Sequence, residues 1–160
     1  MAIFVVQKHA ASTLHYDFRL EINGVLKSWV LPKGPSIDSH VKRMAIPVDD
    51  HQLDFAEFEG VIPEGYYGAG KVMIWDRGEY KNETYDGDEL LSMEKAYEEG
   101  TMSFTLKGEK LKGSFTLLKI KGQKNWLLIK HHDSDAKEHF DITKEMPDSI
   151  VSGRSIDVIE

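Results

Sequence analysis

Residues 14–21 read Leu14-His15-Tyr16-Asp17-Phe18-Arg19-Leu20-Glu21. At the period of a β-strand this stretch sends Leu14, Tyr16, Phe18 and Leu20 to one face and His15, Asp17, Arg19 and Glu21 to the other. The first face is core. The second carries an imidazole, a carboxylate and a guanidinium in register, each about 6 to 7 Å from the next. His-x-Asp on a rigid strand can chelate one divalent cation, and an arginine two residues on can bind the oxyanion that the cation touches. The plainer reading of the same residues is a solvated face steadied by an Asp17–Arg19 ion pair.

Working outward, Ile3 to His9 is an apolar strand in which Gln7 and His9 share a parity. If that parity faces the same way as His15 and Asp17, His9 completes a set of two histidines and one carboxylate. Asn23-Gly24 signals a type I′ hairpin, so Val25 to Val30 should return antiparallel to the 14–21 strand. Further strands are expected at Lys42 to Val48, Lys71 to Asp76, Met102 to Leu106, Lys110 to Ile120 and Trp126 to Lys130. Arg77-Gly78 reads as a turn before Glu79 to Lys81. One helix is predicted, Asp88 to Glu99, capped by Asp88 and ended by Gly100. The glycine-dense 63–70 segment lacks the order of a dinucleotide loop and reads as structural. The expected fold is mainly β: an antiparallel β-barrel of about eight strands with a flanking helix, the polar face of the 14–21 strand lining its concavity. Residues 1–160 form a single domain, with 134–160 a polar C-terminal tail and a short helix expected at 155–160.

Composition narrows the chemistry. A chain of 160 residues with 41% hydrophobic content can bury a core of its own. It has no cysteine, so disulfides and thiolate-ligated metals are excluded and His, Asp and Glu remain as the strong ligands. No run is long and apolar enough for a membrane span and no signal-peptide profile is present, so the expectation is a cytoplasmic protein without a membrane partner. The net charge is −7, yet residues 1–43 hold six Lys or Arg against three acids. That asymmetry suits a protein that grips one end of a polyanion without coating a duplex. Asp49-Asp50-His51 is either a surface histidine or one oriented as an acid or phosphate donor. His131 and His132 are adjacent, so at most one can serve a given site from a strand.

The segments FVVQKHAASTLHYDFRLEINGVLKSWVLPKGPS (4–36), DHQLDFAEFEGVIPEGYYGAGKVMIWDRG (50–78) and WLLIKHHD (126–133) closely resemble the 3′-phosphoesterase domain of DNA ligase D, which also occurs as a free-standing archaeal-type protein. The resemblance implies a β-barrel enzyme that heals 3′ ends for end joining. It would remove a 3′-terminal ribonucleoside and then the 3′-phosphate, with Mn²⁺ as favoured metal and other divalent transition metals as substitutes. Its substrates would be 3′ ends of DNA or of a DNA–RNA primer-template, and its expected partners a separate DNA ligase, a polymerase and Ku. By the resemblance, His9, His15 and Asp17 are metal ligands, Arg19 and His51 contact phosphate, and Gln7, Lys33 and Arg43 match further functional positions.

Two departures stand out. The family often has Pro after the histidine of this motif and Tyr four residues past it, where this chain has Gln52 and Phe55. A tyrosine contact with phosphate is thus missing. Relatives also carry an upstream arm that contributes polar residues, whereas this chain begins almost on its first strand; a weaker grip on substrate is expected. Two other readings of the sequence are a metal-dependent module that binds 3′ ends without turnover, and an Fe(II)/2-oxoglutarate oxygenase. The latter lacks the Arg-x-Ser spacing expected after its distal histidine.

Overall fold

A computed structural model describes residues 1–160. The 14–21 stretch lies in β2 (Leu14–Ile22), flanked by β1 (Ile3–Ala10) and β3 (Val25–Leu31). Asn23 and Gly24 both take positive φ, 52° and 84°, as the two-residue turn joining Ile22 to Val25 requires. The chain continues through β4 (Lys42–His51), β5 (Gly60–Ile62), β6 (Gly70–Asn82), a small hairpin β7 (Tyr85–Asp86) and β8 (Glu89–Leu90), then α1 (Met93–Glu99), β9 (Thr101–Gly108), β10 (Lys112–Lys119), β11 (Trp126–Lys130) and α2 (Ile142–Glu145). Neighbouring strands run β1-β2-β3-β4-β11-β10-β9-β6, and β6 pairs back onto β1. Eight antiparallel strands therefore close a barrel, with β5 added beside β6.

Strand parity decides what the barrel holds. Phe4 and Val6 of β1, Phe18 and Leu20 of β2, and Trp29 and Leu31 of β3 belong to one cluster of 25 buried residues, completed from the other strands by side chains such as Trp75, Phe104 and Phe115. Truncating one of the largest of these, Trp29→Ala, is expected to cost about 3–5 kcal/mol. An eight-stranded barrel is narrow enough for side chains to fill, and here this apolar cluster fills it, leaving the interior without a polar site. The concavity expectation is corrected accordingly. His15, Asp17 and Arg19, with Val5, Gln7 and His9 across from them, sit on the outer surface of the barrel.

That surface is roofed. Residues 52–59, with a short 3₁₀ turn at Leu53–Glu57, lie over it, and Ala56 of that turn packs with Val5, Leu26 and Ile74 in a second small apolar cluster. Three other sequence expectations change. Arg77-Gly78 is not a turn, because β6 runs through it, with Arg77 opposite Val5 and Gly78 opposite Phe4 of β1; glycine is required there since a Cβ on Gly78 would lie 2.2 Å from the Lys107 carbonyl oxygen. The helix begins at Met93, not near Asp88. Ser92 caps it by accepting the Lys95 amide at 3.1 Å, while Glu89 and Leu90 pair with Tyr85 and Asp86. The C-terminal segment is less polar in effect than in composition: Ile142, Ile156 and Ile159 all reach the main core. The residues after Ser155 form a 3₁₀ turn over Ile156–Val158. No helix is long and apolar enough to cross a membrane.

Candidate metal and phosphate site

The β1–β2 register places His9 opposite His15 and Gln7 opposite Asp17. Adjacent strands thereby bring together residues that a single strand would keep apart. One ligand atom each from His9, His15 and Asp17 falls within 4.8 Å of the others, with His9 Nδ1 3.6 Å and His15 Nε2 3.3 Å from the Asp17 carboxylate. The far side of each ring is tied to backbone: His9 Nε2 lies 3.2 Å from the Ala69 carbonyl and His15 Nδ1 3.0 Å from that of Thr13. A carbonyl can only accept, so each ring donates there. In the neutral imidazoles both remaining lone pairs then point at an anion, which is repulsive unless a cation or proton lies between them. The donor set fits a divalent metal held by two imidazoles and one carboxylate, each ring oriented by an outer hydrogen bond.

Asp17 is 6% exposed. Burial works against its charge, but His15, His9 and Arg19 outweigh it and hold the carboxyl well below the usual carboxylate range. The His15 imidazole is pushed up, chiefly by its contact with Asp17.

Arg19 is 3% exposed and its guanidinium is fixed on three sides. Nε donates to Gln7 Oε1 at 2.7 Å, Nη2 to Asp17 Oδ2 at 3.2 Å, and Nη1 lies 3.2 Å from His51 Nδ1. Its plane also packs on Phe55, 5.1 Å from the ring centroid. Of the five N–H groups a guanidinium carries, one on each terminal nitrogen is left for a ligand. Gln7 has both amide hydrogens engaged: it donates to the Phe55 and Phe58 carbonyls at 2.8 and 3.1 Å while its oxygen takes the Arg19 bond. It links the 52–59 roof to the guanidinium.

His51 Nδ1 also lies 3.1 Å from the Asp49 carbonyl. It cannot donate there and accept from Arg19 at once. The permanent charge of the guanidinium favours acceptance, and burial, then the Arg19 charge, lowers the His51 pKa. The neutral ring therefore carries its proton on Nε2.

His9, His15, Asp17, Arg19 and His51 border one cleft of about 460 Å³. Its walls are apolar, with Val30, Val48, Phe55 and Ile62 among them, and Tyr67 and Gly68 stand at its edge. Lys33 and Arg43 are elsewhere. They line a second cleft, with Pro32, Lys42, Met44 and Leu127, just past the end of β3 and at the start of β4. The Arg43 Nε is buried there without a hydrogen-bond partner. His131 pairs with Thr116 at 2.6 Å and His132 with Ser39 at 3.4 Å, and neither borders the first cleft. Sequence reasoning missed the Thr13 and Ala69 carbonyls and the place of Tyr67. The only signal was the glycine density of 63–70, which speaks of backbone shape and not of what the shape supports.

Comparison with known proteins shows what the chain as a whole is similar to. The family model described as the DNA ligase D 3′-phosphoesterase domain matches residues 7–119. The multifunctional non-homologous end joining protein LigD of Pseudomonas aeruginosa is 49% identical over 158 residues, covering 96% of this chain and 18% of the relative. The LigD DNA repair protein of Mycobacterium tuberculosis is 43% identical over 124 residues, or 78% of this chain and 15% of the relative. LigD of Mycolicibacterium smegmatis is 42% identical over 131 residues. The chain spans less than a fifth of the length of these relatives.

Proposed function

Because the chain belongs to the DNA ligase D 3′-phosphoesterase family, we propose that it is a metal-dependent phosphoesterase that heals 3′ ends of nucleic acid. It removes a 3′-terminal ribonucleoside to leave a 3′-phosphate, then hydrolyses that phosphate to a 3′-hydroxyl fit for joining. The observation that supports this best is the meeting, in one cleft, of the His9, His15 and Asp17 donor set with Arg19 and His51.

His9, His15 and Asp17 hold the metal, with Mn²⁺ preferred and other divalent transition metals able to substitute. When bound, the cation supplies Lewis-acid neutralisation of the phosphate oxygens. Arg19 clamps the phosphate with its two free N–H groups, and Gln7 acts through Arg19 by fixing the plane of the guanidinium. Water attacks phosphorus, the bond from phosphorus to the leaving ester oxygen breaks, and that oxygen takes a proton from solvent while the neutral His51 donates a hydrogen bond from Nε2–H to the phosphate or the leaving oxygen. No serine or cysteine borders the cleft, which favours direct hydrolysis over a covalent intermediate. Lys33 and Arg43 bear on phosphates of the strand away from the reacting one, since their cleft is separate. The substrates are 3′ ends of DNA or of a DNA–RNA primer-template in the cytoplasm, and the partners a ligase, a polymerase and Ku.

Two substrates test the proposal with Mn²⁺ present. An oligonucleotide ending in a 3′-phosphate should release inorganic phosphate, and a primer ending in one ribonucleotide should be shortened while an all-deoxy primer with a 3′-hydroxyl is spared. Tight binding of 3′ ends without turnover would make this a binding module instead, and equal degradation of both primers a general exonuclease.

A further inference from the structure

Residues 63–70 make two successive turns, Tyr66 N to Pro63 O at 3.3 Å and Ala69 N to Tyr66 O at 3.1 Å. Gly65, Gly68 and Gly70 take φ of 90°, 79° and 127°. The loop is pressed against β1. A Cβ on Gly70 would lie 2.2 Å from the Ala10 carbonyl oxygen, and one on Gly68 would touch Ile62 and the His9 ring. Ala69 holds the His9 imidazole. This same anchored loop presents two adjacent tyrosines to solvent, Tyr66 at 69% and Tyr67 at 80% exposure. Single exposed aromatics are ordinary, but Tyr67 borders the cleft whose floor carries the metal and phosphate groups.

The walls of that cleft are apolar. A bare phosphate has no use for them, whereas a phosphate joined to a flat, weakly polar ring does. The protein is also acidic overall, at −7, so long-range attraction for a polyanion is small and the local phosphate contacts gain from others that do not depend on charge. Aromatic side chains meet that need, because every nucleobase has a face to stack whatever its identity.

On the reading that 3′ ends are the substrate, we propose that Tyr67 is a stacking platform for the terminal nucleobase, making the site selective for ends that carry a base. Tyr66, outside the cleft, contributes less.

The test uses two oligonucleotides ending in a 3′-phosphate, one with 2-aminopurine as the terminal base and one with an abasic terminal deoxyribose. The parent should show a lower KM for the first than the second. Tyr67→Ala should raise KM for the base-bearing end by about 5- to 150-fold, the usual loss for one stacked base, and abolish the discrimination, whereas Tyr67→Phe should restore it. With metal withheld so that no turnover occurs, 2-aminopurine fluorescence should be quenched on binding by the parent and by Tyr67→Phe, and not by Tyr67→Ala. Equal KM for both ends in the parent, or equal quenching by parent and Tyr67→Ala, would overturn the stacking role while leaving phosphoesterase activity standing. Failure of the parent to turn over either oligonucleotide would overturn the activity, and the quenching measurement would still decide the stacking.

Discussion

Lys130 Nζ lies 2.6 Å from Asp133 Oδ1, with the lysine side chain wholly buried and the aspartate side chain 30% exposed. The ammonium's other partners are the Ser114 and His131 carbonyls at 3.1 and 3.2 Å. Burial opposes the Asp133 charge, but Lys130 and the Ser114 and Asp135 amides hold its carboxyl at about 2. A carboxyl depressed in the folded state stabilises it above the unfolded value, near 4, and that contribution is lost as pH falls toward 2. Acid unfolding followed by circular dichroism should therefore show an Asp133-dependent loss between about pH 4 and 2. Asp133→Ala should destabilise by about 3 kcal/mol at neutral pH, because it strands a buried ammonium. A variant with the parent's neutral stability and acid midpoint would show the pair to be inert.

Gln7 is the joint between roof and site. Gln7→Ala leaves the Arg19 Nε–H and the Phe55 and Phe58 carbonyls without their partner, which should cost about 1–3 kcal/mol of stability. The freed guanidinium should lower kcat by about 10- to 100-fold through misplacement, with Mn²⁺ affinity near the parent's. Gln7→Glu should keep the Arg19 contact and lose both carbonyl bonds, setting a carboxylate against two carbonyl oxygens. Chemical denaturation and steady-state kinetics on the same preparations separate the two effects, and a Gln7→Ala variant with the parent's kcat would make the contact purely structural.

Removing a metal ligand has a readout apart from catalysis. Mn²⁺ at 100 times its dissociation constant should stabilise the parent by about 2.7 kcal/mol. His15→Ala and Asp17→Ala should lose both that stabilisation and the calorimetric signal of binding, since two remaining donors make a poor chelate. Chelation with EDTA should end turnover of the parent and Mn²⁺ should restore it. Undiminished Mn²⁺ affinity in both variants would place the metal elsewhere.

Much of this site was legible because strand parity is a local property. Alternation alone put His15, Asp17 and Arg19 on one face, and the parity of Gln7 and His9 in a second strand needed only the antiparallel register that the structure has. Which side of the sheet becomes the barrel interior is not local. It is set by the summed volume of apolar side chains such as Trp29, Trp75 and Phe115, contributed by strands far apart in sequence, so the site was expected in the concavity and lies outside it. The helix start failed for a related reason: Asp88 and Ser92 are both competent caps, and the choice fell to the pairing of Glu89 and Leu90 with Tyr85 and Asp86. Arg43 shares β4 with His51, and Lys33 follows the end of β3, yet both lie in a separate cleft, a separation that motif matching does not register.

Arg19 can be separated from the metal by sign. It pairs with Asp17 at 3.2 Å, so a merely structural role would make it a brace for the metal ligands. Arg19→Ala would then lower melting temperature and Mn²⁺ affinity together while leaving the rate of metal-saturated enzyme nearly intact. A phosphate clamp behaves otherwise. Removing a positive charge beside the donor set makes the local potential more negative, so Mn²⁺ affinity should hold or rise. The rate on a 3′-phosphate should nevertheless fall by about 10²- to 10³-fold, as for the loss of one charge-stabilising donor. Arg19→Lys should recover only part of it, since an ammonium cannot meet Gln7, His51 and a phosphate at once with the planar fork that Arg19 provides. Calorimetric titration with Mn²⁺ beside phosphate release at saturating metal gives both numbers. Tighter metal with slower turnover would identify the clamp, and weaker metal with the rate intact would identify the brace.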